Sequence, residues 1–188
     1  MFFKWIVCRV PENRKKAFFR AQCAWKAIRD VDGFHGQWGG WNVRRPTEAG
    51  IFSLWRDSSS YDAFMTHVHD SIFHGTKQEQ TYETISVTLL EGVCSLPGEK
   101  GDIRRALSSR WICVNDYQLR PERVDSFAGE LQSDPHTVEN LDGERVALFL
   151  GRELRRTDRC LLFTLWRNHP PESFRNSRLF RLQEEWLV

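Results

Sequence analysis

The sequence predicts an α+β fold: two tandem ferredoxin-like (βαββαβ) plaits packed sheet-to-sheet as an intrachain α+β barrel. Three observations predict it. First, a fragment is written twice, as Ile51-Phe52-Ser53-Leu54-Trp55-Arg56-Asp57 and as Leu162-Phe163-Thr164-Leu165-Trp166-Arg167-Asn168. Lys4-Trp5-Ile6 opens the first copy and Arg110-Trp111-Ile112 the second, and an internal repeat of this length means two copies of one supersecondary unit. Second, each copy runs β-α-β-β-α-β, the split-βαβ order. Third, the strands are apolar on both faces, and the helices of a plait cover only one of them. Two plaits facing each other cover the other. The chain therefore divides into residues 1–91, a linker at 92–109 and residues 110–188.

Residues 3–10 carry Trp, Ile, Val and Cys on both faces and read as the first strand. Pro11 suits a first helical turn, where its missing N–H costs nothing. Ala17, Phe18, Ala21, Trp25 and Ile28 recur at helical spacing, which predicts a helix over 12–29 ending at Asp32-Gly33. The second strand, 34–42, is broken by Gly36, Gly39 and Gly40, the mark of a bulge or of a close approach by another group. A polar hairpin at Arg44–Glu48 leads into the third strand, 49–55. Asp57 or Ser58 can cap a helix over 58–73, whose stripe is Tyr61, Phe64, Met65, Val68 and Ile72. Residues 83–91 alternate and close the first copy.

Gly92, Pro97, Gly98 and Gly101 mark the linker. The second copy predicts strands at 110–115, 145–152, 160–167 and 181–188, a helix at 121–132, and a short helix at 171–179 after Pro170-Pro171. Trp5, Trp55, Trp111 and Trp166 are expected as core anchors.

Composition excludes several classes of function. Of 188 residues, 40% are hydrophobic and 28% charged, with eight Trp and thirteen Phe, which predicts an aromatic-rich core. Net charge is only +2, and residues 101–188 balance 14 Arg against 14 acidic residues without any Lys. A nucleic-acid binder shows a one-sided basic excess instead. Cys8, Cys23, Cys94, Cys113 and Cys160 are scattered, with no CxxC, which argues against disulfides and zinc. No apolar run approaches a membrane span. The expected protein is cytoplasmic and monomeric, because two copies in one chain supply internally the pairing that other plaits obtain by dimerising.

Lys4-Trp5-Ile6, Ala21-Gln22, Gly33-Phe34-His35-Gly36-Gln37, Gly39-Gly40-Trp41, His69-Asp70-Ser71-Ile72-Phe73 and Gln80-Thr81-Tyr82 together resemble the YdbC-type family of uncharacterised bacterial proteins. The resemblance covers residues 1–91. More remotely the chain is similar to the dimeric α+β barrel superfamily, which includes antibiotic-biosynthesis monooxygenases and haem-degrading monooxygenases. That likeness implies a small-molecule pocket between the sheets. The haem-degrading members use an Asn on the first strand, a Trp on the second helix and an iron-ligating His after it. His74 falls at the position of that His and Phe64 at the position of that Trp, and no Asn lies in 3–10. One match in three leaves haem outside the expectation, and no cofactor is predicted.

The candidate site is then His74 and His69 as acid/base groups, with Trp38, Trp41 and Phe64 lining the inter-sheet pocket. His67, His69 and His74 do not share one helix face, so no metal site is expected. No Gly-rich phosphate loop and no nucleophile elbow is present. The function implied is a small-molecule-handling barrel, monooxygenase-like on an aromatic or hydrophobic substrate. The alternative is a non-catalytic ligand-binding or structural module of the same fold.

Overall fold

Strand alternation sorts the N-terminal residues onto two surfaces. β1 (Phe2–Arg9) sends Phe3, Trp5 and Val7 to one side and Lys4, Ile6 and Cys8 to the other. β2 (Phe34–Asn42), β3 (Glu48–Trp55) and β4 (Thr84–Leu96) follow the same rule, with Trp38, Phe52 and Leu90 joining Phe3 and Trp5. The C-terminal half adds β5 (Trp111–Gln118), β6 (Arg145–Glu153), β7 (Arg159–Trp166) and β8 (Arg178–Leu182). In this computed structural model, which describes residues 1–96, 103–133, 145–174 and 177–188, the strands close into one antiparallel barrel in the order β1-β3-β2-β8-β5-β7-β6-β4. Two edge pairings join the halves, β2 with β8 and β4 with β6. A Cβ on Gly40 would run into the backbone carbonyl of Arg181, so the glycine permits β2 and β8 to meet.

The barrel interior is filled. Phe52 stacks on Phe163 with ring centroids 4.2 Å apart, and Trp5 meets Phe163 and Phe180 edge-on at 5.5 and 5.3 Å. Phe3, Trp38 and Phe52 all contact Phe149. The space expected between the sheets as a ligand chamber is therefore solid aromatic core. The fragment expected as a linker also belongs to the fold. Residues 92–96 continue β4, and the 3₁₀ turn Ile103–Ser108 packs against β2 and β6. There the Ala106 carbonyl accepts the Trp38 Nε1–H at 2.8 Å. Residues 97–102, the rest of that fragment, lie outside the described residues.

Helices cover the outside. α1 (Lys15–Cys23) is flanked by 3₁₀ turns at Glu12–Arg14 and Ala24–Ile28. α2 (Ser58–Phe64) and α3 (Asp70–Gly75) are joined by a π-type turn, Met65–His69. Asp57 caps α2 by accepting the Ser60 N–H at 2.7 Å. α4 (Val124–Ser133) covers the second half. The short helix expected at 171–179 is instead a 3₁₀ turn at Glu172–Phe174, and residues 175–176 lie outside the described residues. The last strand starts earlier than expected, at Arg178, because its backbone is taken by β5 and β2. The segment beyond it folds back: Gln37 and Val188 exchange two backbone hydrogen bonds at 3.0 and 3.1 Å, and Trp186 is buried against Phe18 and Trp41.

The repeat is real but its first strand is offset. Trp55 faces Phe2, and Trp166 faces Trp111, so Trp111 is the counterpart of Phe2 and Val114 of Trp5. Aligning Lys4-Trp5-Ile6 with Arg110-Trp111-Ile112 is wrong by three residues, an odd shift that reverses the faces. Trp111 accordingly stands half-buried outside, against His169, while Trp5 is in the core. Both copies do share a bulge, between Phe34 and Gly36 and between Arg145 and Ala147.

Because rings from both halves fill one interior, Phe52→Ala should cost about 3–5 kcal/mol. Heat unfolding should remain a single calorimetric transition in both proteins, and two separated transitions in the wild type would contradict the shared core.

Candidate functional site

The outward faces of β1, β2 and β3 form the floor of a cavity of about 270 Å³. Its roof comes from the α1 extension, through Gln22, Trp25 and Ile28, and from the α2–α3 segment, through Tyr61, Phe64, Met65, His69 and Phe73. Ile85 and Val87 on β4 rim it and are about half exposed (45% and 48%), so the mouth is apolar. Size and lining suit a small, flat, mostly apolar ligand.

Trp25 is fixed in this roof. Its Nε1–H donates to Gln78 Oε1 at 2.7 Å, and its ring lies 5.4 Å from that of His69. Gln78 is held in turn by the turn after Lys77, a residue in the left-handed region (φ 52°). Trp55 packs on Phe64 at 4.8 Å. His69 is stacked on Phe73, and its Nδ1 lies 2.9 Å from Asp70 Oδ1. With Nδ1–H donating to that carboxylate, Nε2 is the acceptor of the ring. The wide turn at Met65–His69 adds a residue to the helical repeat and re-aims His69 toward the cavity, which a uniform 3.6-residue period does not anticipate.

The polar groups of the floor lie in one row. Lys4 on β1 pairs with Ser53 on β3, and Ser53 pairs with Gln37 on β2, so the three side chains stand side by side on one face. Lys4 is buried (9% exposed), and among the described residues no carboxylate reaches its Nζ. Nζ sits over the Tyr61 ring, 5.4 Å from the centroid. Burial pulls the amine down to about 8, opposed by the nearby Cys8. Burial likewise pushes the Cys8 thiol and the Tyr61 hydroxyl up to about 12, so Cys8 stays a thiol. Ser53 Oγ accepts the Trp55 Nε1–H at 3.3 Å, and Gln37 Nε2 is buried without a hydrogen-bond partner.

Of the residues expected at the site, Phe64 and His69 line this cavity. Trp38 does not: it is fully buried in the barrel interior, stacked on Phe52. Trp41 lies on the far side of α1, against Trp186 and beneath Lys15. His74 is exposed at the end of α3 and does not line the cavity. His74, which the resemblance set at the iron-ligand position, therefore lies outside this cavity of about 270 Å³. Lys4, Ser53 and Gln37 were missed. The available signal was a lysine inside a strand apolar on both faces, since a buried amine without a partner is costly and calls for a reason.

That cost sets a prediction. Below about pH 8 the amine is charged in both the folded and unfolded chain, and the burial penalty is fully felt. Between about 8 and the ordinary 10.5 only the unfolded chain keeps the proton, so stability rises with pH through that window. Lys4→Met should stabilise the fold by up to roughly 3 kcal/mol at pH 7, with the gain fading toward pH 10.5. Urea unfolding at several pH values checks both the sign and the window.

Comparison with known proteins bears on both halves. The family described as "Domain of unknown function (DUF4937)" matches residues 2–90. YdbC, an uncharacterised protein of Bacillus subtilis (strain 168), is 37% identical over 93 residues, which span 48% of this chain and 78% of YdbC. Among solved structures, a "putative monooxygenase" from Lactobacillus acidophilus NCFM aligns with TM-score 0.70 at 10% identity, over 100% of this chain and 95% of that one. A second protein so named, from Fusobacterium nucleatum subsp. nucleatum ATCC 25586, gives 0.71 at 13% identity over 97% and 91%. An anthrone oxidase-like protein gives 0.60 at 11% identity over 97% and 91%. At such identities the likeness is one of fold, and it extends through both halves. The sequence match is confined to the half that holds the cavity and carries every residue of its lining, and through that half the chain belongs to the YdbC-like family of DUF4937 proteins.

Proposed function

We propose that the chain is two tandem ferredoxin-like plaits fused into a monomeric barrel, and that its N-terminal copy handles a small aromatic or hydrophobic molecule in the manner of a cofactor-independent monooxygenase. The strand orders β4-β1-β3-β2 and β8-β5-β7-β6 and the shared bulge support the first part, with the N-terminal copy running on to Leu96. Closure through β2–β8 and β4–β6 within one chain supports the monomer. Five free thiols support a reducing compartment such as the cytoplasm. Among the described residues no helix is long and apolar enough to cross a membrane.

The observation that carries the functional reading is the aromatic cavity between sheet and helices, with His69 and Lys4 in its lining. A ligand with a methylene activated by flanking aromatic rings suits it. His69 Nε2 takes the first proton. Dioxygen then supplies both oxidant and inserted atom: two C–H bonds are lost, one C=O forms, and the second oxygen leaves with the two hydrogens as water. That balance needs no external reductant, and the names of the similar solved structures point the same way.

Saturable quenching of tryptophan fluorescence by 2-methylnaphthalene tests the cavity. The expected result is binding in the wild type and at least tenfold weaker binding in Ile6→Phe, which fills the floor; no saturable binding in the wild type overturns the reading. Oxygen uptake with anthrone tests the chemistry, with His69→Ala expected to lower the rate by about 100-fold. Binding without uptake would leave a ligand-binding module. Sedimentation should show a monomer of 22.2 kDa.

A further inference from the structure

The polar row on the cavity floor is rich in hydrogen-bond donors. Lys4 supplies an ammonium or amine, Gln37 an amide N–H pair, and Ser53 a hydroxyl whose oxygen is already used by Trp55 and whose hydrogen is left to donate. Among the described residues no Asp or Glu lines the cavity; Asp70, beside His69, is turned to solvent. With Gln37 Nε2 unpaired and no carboxylate beside Lys4, these donors on three neighbouring strands leave the cavity short of one thing: a negatively charged oxygen. A buried donor left unsatisfied is costly to keep, and Gln37 Nε2 is one.

The second copy shows that the fold does not require this row. By strand register the counterparts of Lys4, Ser53 and Gln37 are Cys113, Thr164 and Leu148. Thr164 repeats the structural task of Ser53, accepting the Trp166 Nε1–H at 3.0 Å as Ser53 accepts that of Trp55. Leu148 and Cys113 are ordinary buried residues there. The hydroxyl thus belongs to the architecture, while the amine and the amide are additions confined to the half with the cavity.

We infer that Lys4, Ser53 and Gln37 form a cradle for an acidic oxygen, so that the ligand is a flat apolar body bearing a carboxylate, phenolate or enolate that lies on the sheet while its rings face Trp25 and Phe64. This rests on the reading that the cavity binds a small aromatic ligand. The chemistry fits the donors: an anionic oxygen accepts from all three at once, pairs with the buried Lys4 ammonium, and enters through the apolar mouth at Ile85 and Val87 body-first or edge-on. For an enolisable substrate the same row holds the negative charge that forms when the first proton is removed.

Three probes of one shape separate the possibilities: 2-naphthoate, 2-naphthol and the uncharged 2-methylnaphthalene, each titrated by tryptophan quenching. The wild type should prefer 2-naphthoate or ionised 2-naphthol over 2-methylnaphthalene by at least tenfold, and whichever is favoured names the oxygen. Lys4→Met should abolish that preference while leaving 2-methylnaphthalene within about twofold, a pattern that a merely misfolded variant would not give. Gln37→Leu, which copies the second half, should weaken the anionic probe several-fold. The preference for naphthoate should also fade as the pH is raised beyond 8 in the wild type and be flat with pH in Lys4→Met. Equal affinity for charged and uncharged probes, or a preference that survives Lys4→Met, overturns the cradle while leaving the pocket intact. Failure of all three probes to bind overturns the pocket itself.

Discussion

The stack of Phe52 on Phe163, with Trp5, Phe149 and Phe180 around it, is the contact on which the rest of this structure depends. Each ring pair crosses from one half to the other, so neither half owns a complete core. The barrel is thereby committed to closure within the chain, and its centre is unavailable to any ligand. Free space is displaced to the outer face of the N-terminal sheet, where helices roof the strands. The Trp38 indole illustrates the division. Its N–H is satisfied by the Ala106 carbonyl, and both residues are buried.

Much of this architecture was legible in the sequence. Alternation and helical spacing place the strands and helices of the first half close to their observed bounds, and the glycines at 36–40 mark the bulge and the close approach of β8. The second half was read less well for identifiable reasons. A shared Trp-Ile pair suggested a register that the hydrogen-bond ladders shift by three residues. Gly- and Pro-rich composition suggested a spacer where a short 3₁₀ turn packs against the barrel. Pro170-Pro171 favours a helix start, yet the residues that follow have partners waiting on two strand edges.

The site was harder, because its parts meet only after folding. Lys4, Ser53 and Gln37 are dispersed over three strands, and no local pattern links them; only the ladder brings them into a row. His69 was singled out from its residue type, but its approach to the cavity depends on one wide helical turn. His74 shows the converse. It holds the position a family comparison would favour, and the fold leaves it at the surface.

The unequal rows on the two half-sheets have a consequence for stoichiometry. A homodimer of identical plaits carries every substitution twice, and a two-fold axis gives it two equal sites or none. Here the second set of positions reads Cys113, Thr164 and Leu148, so pseudo-symmetry governs the scaffold while the polar chemistry is singular. Among the described residues, one chain therefore carries one such row. The C-terminal half braces that row from the edge of the sheet, with Val188 stitched to the backbone of Gln37.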